Sequence, residues 1–319
     1  MKTKVAILLL CVALLASFCQ FTKPVQSGSG TVLKITPERN IFAINVTEPG
    51  AKFVVNLTVI DATDLFAWQF GLQYNNSLIN FTQLILPPDH VFAGKSFLET
   101  PLITEPGTIY YGITLGPGQK GVNVTKGTLC QLEFEILDPS FTGVKLPALC
   151  ILQFIDSDYT FLLDSKGAVI ESTWKDSIFA YTYLRSNIVT VDGHVFNIVT
   201  CSNGEVVPSS FKVLEGETAI EFNITGPSGF GFVNVTIPKA LLNGNPSAWT
   251  VYVNGVTTNA QISSNATYTS VYVEFTFGSQ VTIRIEGTWI IPELATMLIP
   301  TIFAVTAIKA IIKLRKRKS

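Results

Sequence analysis

The sequence predicts an all-β protein made of two β-sandwich domains, set between an N-terminal signal peptide and one C-terminal transmembrane helix. Three observations predict it. Apolar residues alternate with period two over most of positions 31–287, clusters of Gly, Pro, Asn and Ser punctuate those runs, and each end carries an apolar stretch flanked by cations. Period-two alternation puts one side-chain set on each face of a strand, so such runs read as half-buried strands. Many short strands with Gly- and Pro-rich turns mean sandwiches.

The strands follow in order. In Lys52–Val59, Phe53, Val55, Leu57 and Val59 share a face, leaving Asn56 and Thr58 on the other. Phe66–Tyr74 aligns Trp68, Phe70, Leu72 and Tyr74, and Leu129–Leu137 aligns Leu132, Phe134 and Ile136. Further on, Ile220, Phe222 and Ile224 form one such set, and Val233, Val235 and Ile237 another, turning Asn223 and Asn234 outward. Asn254-Gly255, between two β-branched runs, is a two-residue hairpin signal. Nothing between 31 and 287 reads as an amphipathic helix; Lys239-Ala-Leu-Leu is a turn at most. The domain boundaries expected are 31–185 and 188–287.

Charge separates the ends from the middle. The net charge of −1 averages three cations in 1–27, six in 289–319 against the single acid Glu293, and 13 cations against 22 acids between them. An acidic body argues against nucleic acid as a partner, which needs a clustered basic surface. Residues 1–27, a basic Met1–Lys4 followed by apolar Val5–Phe18, read as a signal peptide cleaved after Cys19 or Ser27, with an uncleaved anchor as the alternative. Residues 289–312 read as a transmembrane helix and 313–319 as a basic cytoplasmic tail, since some 20 apolar residues rise roughly 30 Å. Trp289 suits the interface, and the cations that follow obey the positive-inside rule. The expected location is therefore the cell membrane, single-pass, with the N-terminus and body outside, at the cell surface.

Eight N-x-S/T sequons, at Asn45, Asn56, Asn75, Asn80, Asn123, Asn223, Asn234 and Asn265, all fall between the two membrane signals. With 17 Asn, chance would supply about three, so the excess reads as N-glycosylation of an exported chain. Outside the signal peptide stand Cys130, Cys150 and Cys201. In an oxidising setting, Cys130 and Cys150 on successive strands are a candidate disulfide with Cys201 free; three buried thiols are the alternative.

Chemistry-bearing motifs are sparse. Gly116-Pro-Gly-Gln-Lys-Gly matches G-x-G-x-x-G, but a strand follows it rather than the helix a dinucleotide site requires, so it reads as a loop. Glu133 and Glu135 share an outer strand face and invite a glycoside-hydrolase test, but an open, solvated face would leave neither as an acid. Asp156 and Asp158 read in the same way, as a solvated pair, with closing a turn or binding Ca²⁺ as the alternatives; the loop lacks the calcium-loop ligand array. Metal-ligand spacing is absent, His90 and His194 stand alone in their segments, and no G-x-S-x-G is present. No catalytic residue, metal or cofactor is therefore assigned, and the protein is read as a non-enzyme.

Several of these segments resemble a known family. Pro49–Val59, Asp64–Asn75 and Ser77–Phe81, with Gly127–Leu137 and Leu163-Asp-Ser-Lys-Gly, are similar to the strands of cohesin-type domains over about 31–185. The resemblance implies a nine-stranded jelly-roll sandwich that recognises a partner protein. Bacterial cohesins bind dockerin modules in polysaccharide-degrading assemblies, and archaeal cohesin-like domains sit on surface proteins; no dockerin-binding residue set transfers here. Residues 188–287 resemble a smaller, Ig-like sandwich placed before the anchor of archaeal exported proteins, notably through Gly226–Leu242. Ile291-Pro-Glu-Leu resembles a PEF-CTERM sorting tail, with Leu294 where Phe is expected, so plain anchoring is the simpler reading. The function implied is a membrane-anchored binding, adhesion or scaffolding protein recognising a dockerin-like protein or a carbohydrate. A purely structural envelope component and a carbohydrate-active enzyme are the rivals.

Overall fold

The computed structural model describes residues 30–290. Contacts divide them into two units: 30–42 with Thr47–Ala180, and Ala43–Val46 with 181–290. The first boundary thus falls a few residues before the expected 185. The four-residue segment Ala43–Val46 belongs with the second unit, because Ile44 N–H donates to Thr182 O and the Asn45 side chain bonds the Leu184 backbone.

The first unit holds β1 (Thr31–Thr36), β2 (Arg39–Ala43), β3 (Lys52–Gln73), β4 (Ile79–Ile85), β5 (Phe97–Glu99), β6 (Ile103–Glu105), β7 (Thr108–Leu115) and β8 (Val122–Ile136). A one-turn helix α1 (Pro139–Thr142) precedes β9 (Ala148–Phe154), β10 (Phe161–Asp164), β11 (Ser172–Lys175) and β12 (Ser177–Thr182), whose last two residues fall in the second unit. Asp138 caps α1 and left-handed Gly143 ends it, a single turn that the alternation pattern did not reveal.

Strand β3 organises the fold. Its first half, near 52–60, pairs with β8 on one side and β1 on the other, and β4 and β11 extend that layer. Its second half, 65–73, pairs instead with β7 and with β10 and β9, and β5, β6, β12 and β2 complete a second layer. One chain segment therefore runs through both layers of the sandwich. The corner lies at Asp61 and Asp64, both left-handed (φ 54° and 57°). Such φ costs an L-residue about 1–2 kcal/mol, least for Asp and Asn. Hydrogen bonds offset it: Thr31 Oγ1 donates to Asp61 O, Asn123 Oδ1 accepts from Asp64 N–H, and Ser165 Oγ donates to the Asp64 carboxylate.

The alternation read from the sequence is the alternation of burial. Phe53, Val55, Leu57 and Val59 face inward from the first layer, as do Leu132, Phe134 and Ile136; Trp68, Phe70 and Leu72 face them from the second. Phe53 stacks on Phe134 (centroids 5.6 Å apart) and on Phe179 of the other layer (5.3 Å), joining the layers through aromatic contact.

The second unit is an antiparallel sandwich. Its first sheet orders β13 (Leu184–Val191), β14 (His194–Ser202), β18 (Gly229–Pro238), β23 (Tyr268–Phe277) and β22 (Ala260–Ser264). The second orders β15 (Glu205–Val206), β17 (Ala219–Thr225), β24 (Gln280–Glu286), β20 (Thr250–Val253) and β21 (Val256–Thr258), with β16 (Lys212–Leu214) also on β17. Val233, Val235, Val271 and Val273 meet Phe222, Ile224, Ile283 and Ile285 in its core. Asn254-Gly255 forms the β20–β21 hairpin, with φ of 51° and 80° as a type I′ turn requires.

Short β19 (Leu242–Asn243) pairs with β25 (Trp289–Ile290). Trp289 and Ile290, expected to begin the membrane helix, are strand: their backbones pair with Asn243 and Leu242. Among the described residues no helix is long and apolar enough to cross a membrane. The signal peptide, the rest of 289–312 and the tail lie outside the described residues.

Candidate binding face

The two outer faces of the first unit differ in chemistry. On the β11–β1–β3–β8–β4 layer, outward positions include Lys34, Lys52, Asn56, Gln131, Glu133, Glu135 and Lys175, a polar and charged surface. Lys52 Nζ lies 2.8 Å from Glu133 Oε1, which also accepts from Thr82 Oγ1 at 2.7 Å. The Lys52 ammonium, together with Thr82, holds the Glu133 carboxyl below the ordinary carboxylate range, and Glu133 raises Lys52 in return. A carboxyl held ionised is the opposite of what a glycoside acid needs. The sequence-proposed carboxylate pair is thus part of a surface ladder.

The β10–β3–β7–β5 layer presents something else. Inward Trp68, Phe70 and Leu72 leave Ala67, Gln69, Gly71 and Gln73 on the opposite side of β3, where the 159–160 segment covers the centre: Gln69 is only 7% exposed and its Nε2 donates to Tyr159 O. Across the ladder, Thr114 stands beside Ala67, Gly112 beside Gln69, and Tyr110 beside Gly71. On the other side Phe161 pairs with Gln69 and Gln153 with Gln73, and the outer edge adds Leu98 beside Thr114 and Ile103 beside Tyr110. Charge stays toward the edges of these rows: Glu105 at the rim beside Thr108, Glu99 on β5 and Asp164 at the end of β10, with Asp156 near Tyr110. Leu98 is 61% exposed and Ile151 of β9 is 47% exposed.

Two glycines shape the centre. A Cβ on Gly71 would lie 2.9–3.1 Å from Tyr159 and the Tyr110 ring, so the bare backbone lets the two tyrosines close over it, 5.2 Å apart. At Gly112 a Cβ would meet Trp68 O at 2.7 Å. Glycine inside a strand marks such close approach. Thr160 Oγ1 hydrogen-bonds both Gly71 N–H and Gly71 O, and Thr100 Oγ1 accepts from Gly112 N–H at 2.8 Å, fixing the neighbouring segments to the sheet. Sequence reading passed over Tyr110, Tyr159, Phe161 and Leu98; the signal available was the pair of strand glycines.

The remaining sequence-proposed sites fall elsewhere. Cys130 and Cys150 are not bridged: with Cys201 they are buried free thiols. Cys130 lies on β8 opposite Leu57 in the first layer, whereas Cys150 lies on β9, which joins the second layer at Leu72–Gln73. Succession in sequence did not mean adjacency in a sheet. Burial pushes the thiols up, to about 11 at Cys150 and Cys201 and further at Cys130. Gly116–Gly121 is the loop between β7 and β8. Asp156 closes a turn, accepting from Asp158 N–H through Oδ1. Among the described residues no group of three or more His, Cys, Asp or Glu could hold a metal ion.

An open hollow of about 360 Å³ in the second unit is lined by Glu221, Tyr252, Gly255, Thr282, Arg284 and Glu286. Arg284 binds Glu286 and Glu217, and Tyr252 OH donates to Glu286 Oε2 at 3.1 Å. It is a surface ladder rather than a poised site.

No family model and no curated protein matches the sequence. Among solved structures, the chain is similar to a non-cellulosomal cohesin of Archaeoglobus fulgidus (14% identity, 48% of this chain, 92% of that one, TM-score 0.36). It is also similar to CaCohA2 of Clostridium acetobutylicum (17%, 48% and 91%, TM-score 0.36). A third is a type I cohesin–dockerin complex, Coh-OlpC with Doc435, of Clostridium thermocellum (12%, 51% and 100%, TM-score 0.40). All three are cohesin structures. At these identities and scores, what the neighbours bind stays a property of the neighbours.

Proposed function

We propose that this chain is a surface recognition protein whose first unit docks a protein partner on the β10–β3–β7–β5 face. The observation that carries the reading is the contrast between the two outer faces. One is charged and holds the sequons Asn56 and Asn80; the other keeps its charges toward the edges, is centred on two glycines and two tyrosines, and has no sequon in its paired strands, Asn75 lying just beyond Gln73. A neutral aromatic patch on an acidic body is the composition of an interface centre, where charged residues are depleted and Tyr is enriched. The cohesin resemblance of the sequence makes a dockerin-type module the first partner to try. In the same proposal the apolar segments at the two ends export and anchor the chain, and the second unit serves as a stalk; tethering raises the local concentration of a binder.

The test is titration calorimetry of the protein against dockerin modules and against envelope polysaccharides, with Tyr110→Ala and Leu98→Asp as probes. An interface anchored on Tyr110 loses about 2 kcal/mol or more on truncation, roughly 30-fold in affinity. Binding that survives both substitutions, or saturable binding to polysaccharide alone, would reject the protein-docking reading. Fractionation and protease protection of cells would test export separately.

A further inference from the structure

The eight sequons are equal in sequence and unequal in the fold. Asn56, Asn223 and Asn234 lie half-buried on sheet faces. Asn56 Oδ1 accepts from Gln131, Asn223 Oδ1 accepts from Thr282 Oγ1, and Asn234 Oδ1 is cut off from solvent. Asn45 is exposed, but both ends of its carboxamide bind the Leu184 backbone, Nδ2 donating to O and Oδ1 accepting from N–H, each at 3.0 Å. Asn80 and Asn123 are exposed but lie in strands, where other partners hold their sequons: Thr82 Oγ1 donates to Glu133, and Asn123 Oδ1 accepts from Asp64 N–H.

Asn75 and Asn265 differ from the other six. Both are exposed and lie outside strands, between β3 and β4 and between β22 and β23, as Asn45 does between β2 and β3, but neither binds a distant backbone as Asn45 does. In each, the amide of the sequon's own Ser or Thr folds back onto the asparagine. Ser77 N–H donates to Asn75 Oδ1 at 2.9 Å, and Thr267 N–H donates to Asn265 Oδ1 at 2.8 Å, with Tyr268 N–H adding a second bond at 2.8 Å. This is an Asx turn. It fixes the carboxamide through its oxygen and polarises it, leaving the bonding of Nδ2 outside the turn.

We propose that Asn75 and Asn265 are the N-glycan acceptors of the folded protein. In the transfer, Nδ2 attacks the anomeric carbon of a lipid-pyrophosphate-linked oligosaccharide. The N–C1 bond forms, the C1–O bond to the pyrophosphate breaks, the lipid pyrophosphate leaves with the electron pair, and the Nδ2 proton passes to a base of the transferase. The proposal deepens the surface-protein reading, which supplies the exported setting in which such transfer occurs.

The experiment incubates the folded full chain in detergent with a single-subunit oligosaccharyltransferase requiring only N-x-S/T and its lipid-linked donor, and follows each site by glycopeptide mass spectrometry. Initial transfer at Asn75 and Asn265 should exceed that at each of the other six sequons by about tenfold or more. That factor corresponds to roughly 1.4 kcal/mol, the order of one hydrogen bond to be broken first. Asn75→Gln and Asn265→Gln should each remove one glycoform. Equal transfer at all eight sites, faster transfer at any of the six, or none at either turn would overturn the proposal. Transfer at the two turns in vitro, with an unglycosylated chain in cells, would support the assignment and count against export instead.

Discussion

Phe134 and Glu135 are neighbours on β8, and the fold gives them opposite fates. Phe134 is fully buried, with ring centroids 5.6 Å from Phe53, 5.2 Å from Tyr74 and 5.8 Å from Phe81. Its partner across the ladder is Phe53, while that of Glu135 is Lys52. Truncating a buried Phe to Ala costs about 3–5 kcal/mol, because the transfer energy of the ring is lost and the cavity only partly collapses. Three ring contacts place this site toward the upper end. For a unit of roughly 150 residues, each kcal/mol shifts Tm by about 2–4 °C, so Phe134→Ala should lower the melting of the first unit by roughly 10–15 °C. Glu135→Ala, on the solvent face, should move it by no more than about 2 °C. Differential scanning calorimetry of the two variants reads both shifts. A one-residue slip of β8 would exchange the two faces. Comparable shifts for the two variants, or a larger one for Glu135→Ala, would refute the register and with it the assignment of the outer faces.

Two further predictions concern buried groups. Cys130, Cys150 and Cys201 should be unreactive toward Ellman's reagent in the native protein at pH 8, and all three should react once it is denatured; an unreduced peptide map linking Cys130 to Cys150 would contradict the free-thiol arrangement. His90 is buried, its ring 5.3 Å from that of Phe97 in edge-to-face contact and its Nδ1 without a partner, and burial holds the imidazole below its ordinary 6.5. The fold therefore binds fewer protons here than the unfolded chain: the stability this group contributes is full above about pH 6.5 and is lost as pH falls toward the folded value. An NMR titration of His90 with a midpoint at or above 6.5 would reverse that sign.

What could be read from sequence was local. Alternation at Phe53–Val59, Trp68–Leu72 and Leu132–Ile136 assigned the inward residues, and Asn254-Gly255 marked its hairpin, because strand period and turn chemistry act over a few residues. Pairing acts over the whole chain, and there the reading stopped. Lys52–Gln73 carries two alternating runs, and only the left-handed Asp61 and Asp64 reveal that one strand serves two layers. That corner sends the partners of the first half, including Cys130, to one layer and the partners of the second half, including the strand of Cys150, to the other, so strands that follow each other in sequence are not neighbours in one sheet.

The same corner decides which surface is available for recognition. Both halves of β3 alternate equally well, so sequence alone cannot tell whether Asn56 and Gln69 share a face. The pairing shows that they belong to different layers: Asn56 lies beside Gln131 among charges, while Gln69 lies between Gly112 and Phe161. A face is a property of neighbours two strands away, and only the ladder supplies them. The neutral patch is therefore not a composition of any one segment. It arises because Gly71 and Gly112, some 40 residues apart, are brought to adjacent strands: the bare Gly71 lets Tyr110 and Tyr159 close over the sheet, and the bare Gly112 lets the Trp68 carbonyl and Gln69 approach. An added methyl at Gly112 would press on the Trp68 carbonyl and buckle this sheet from within, which makes the shape of the candidate interface and the packing of the core a single physical constraint.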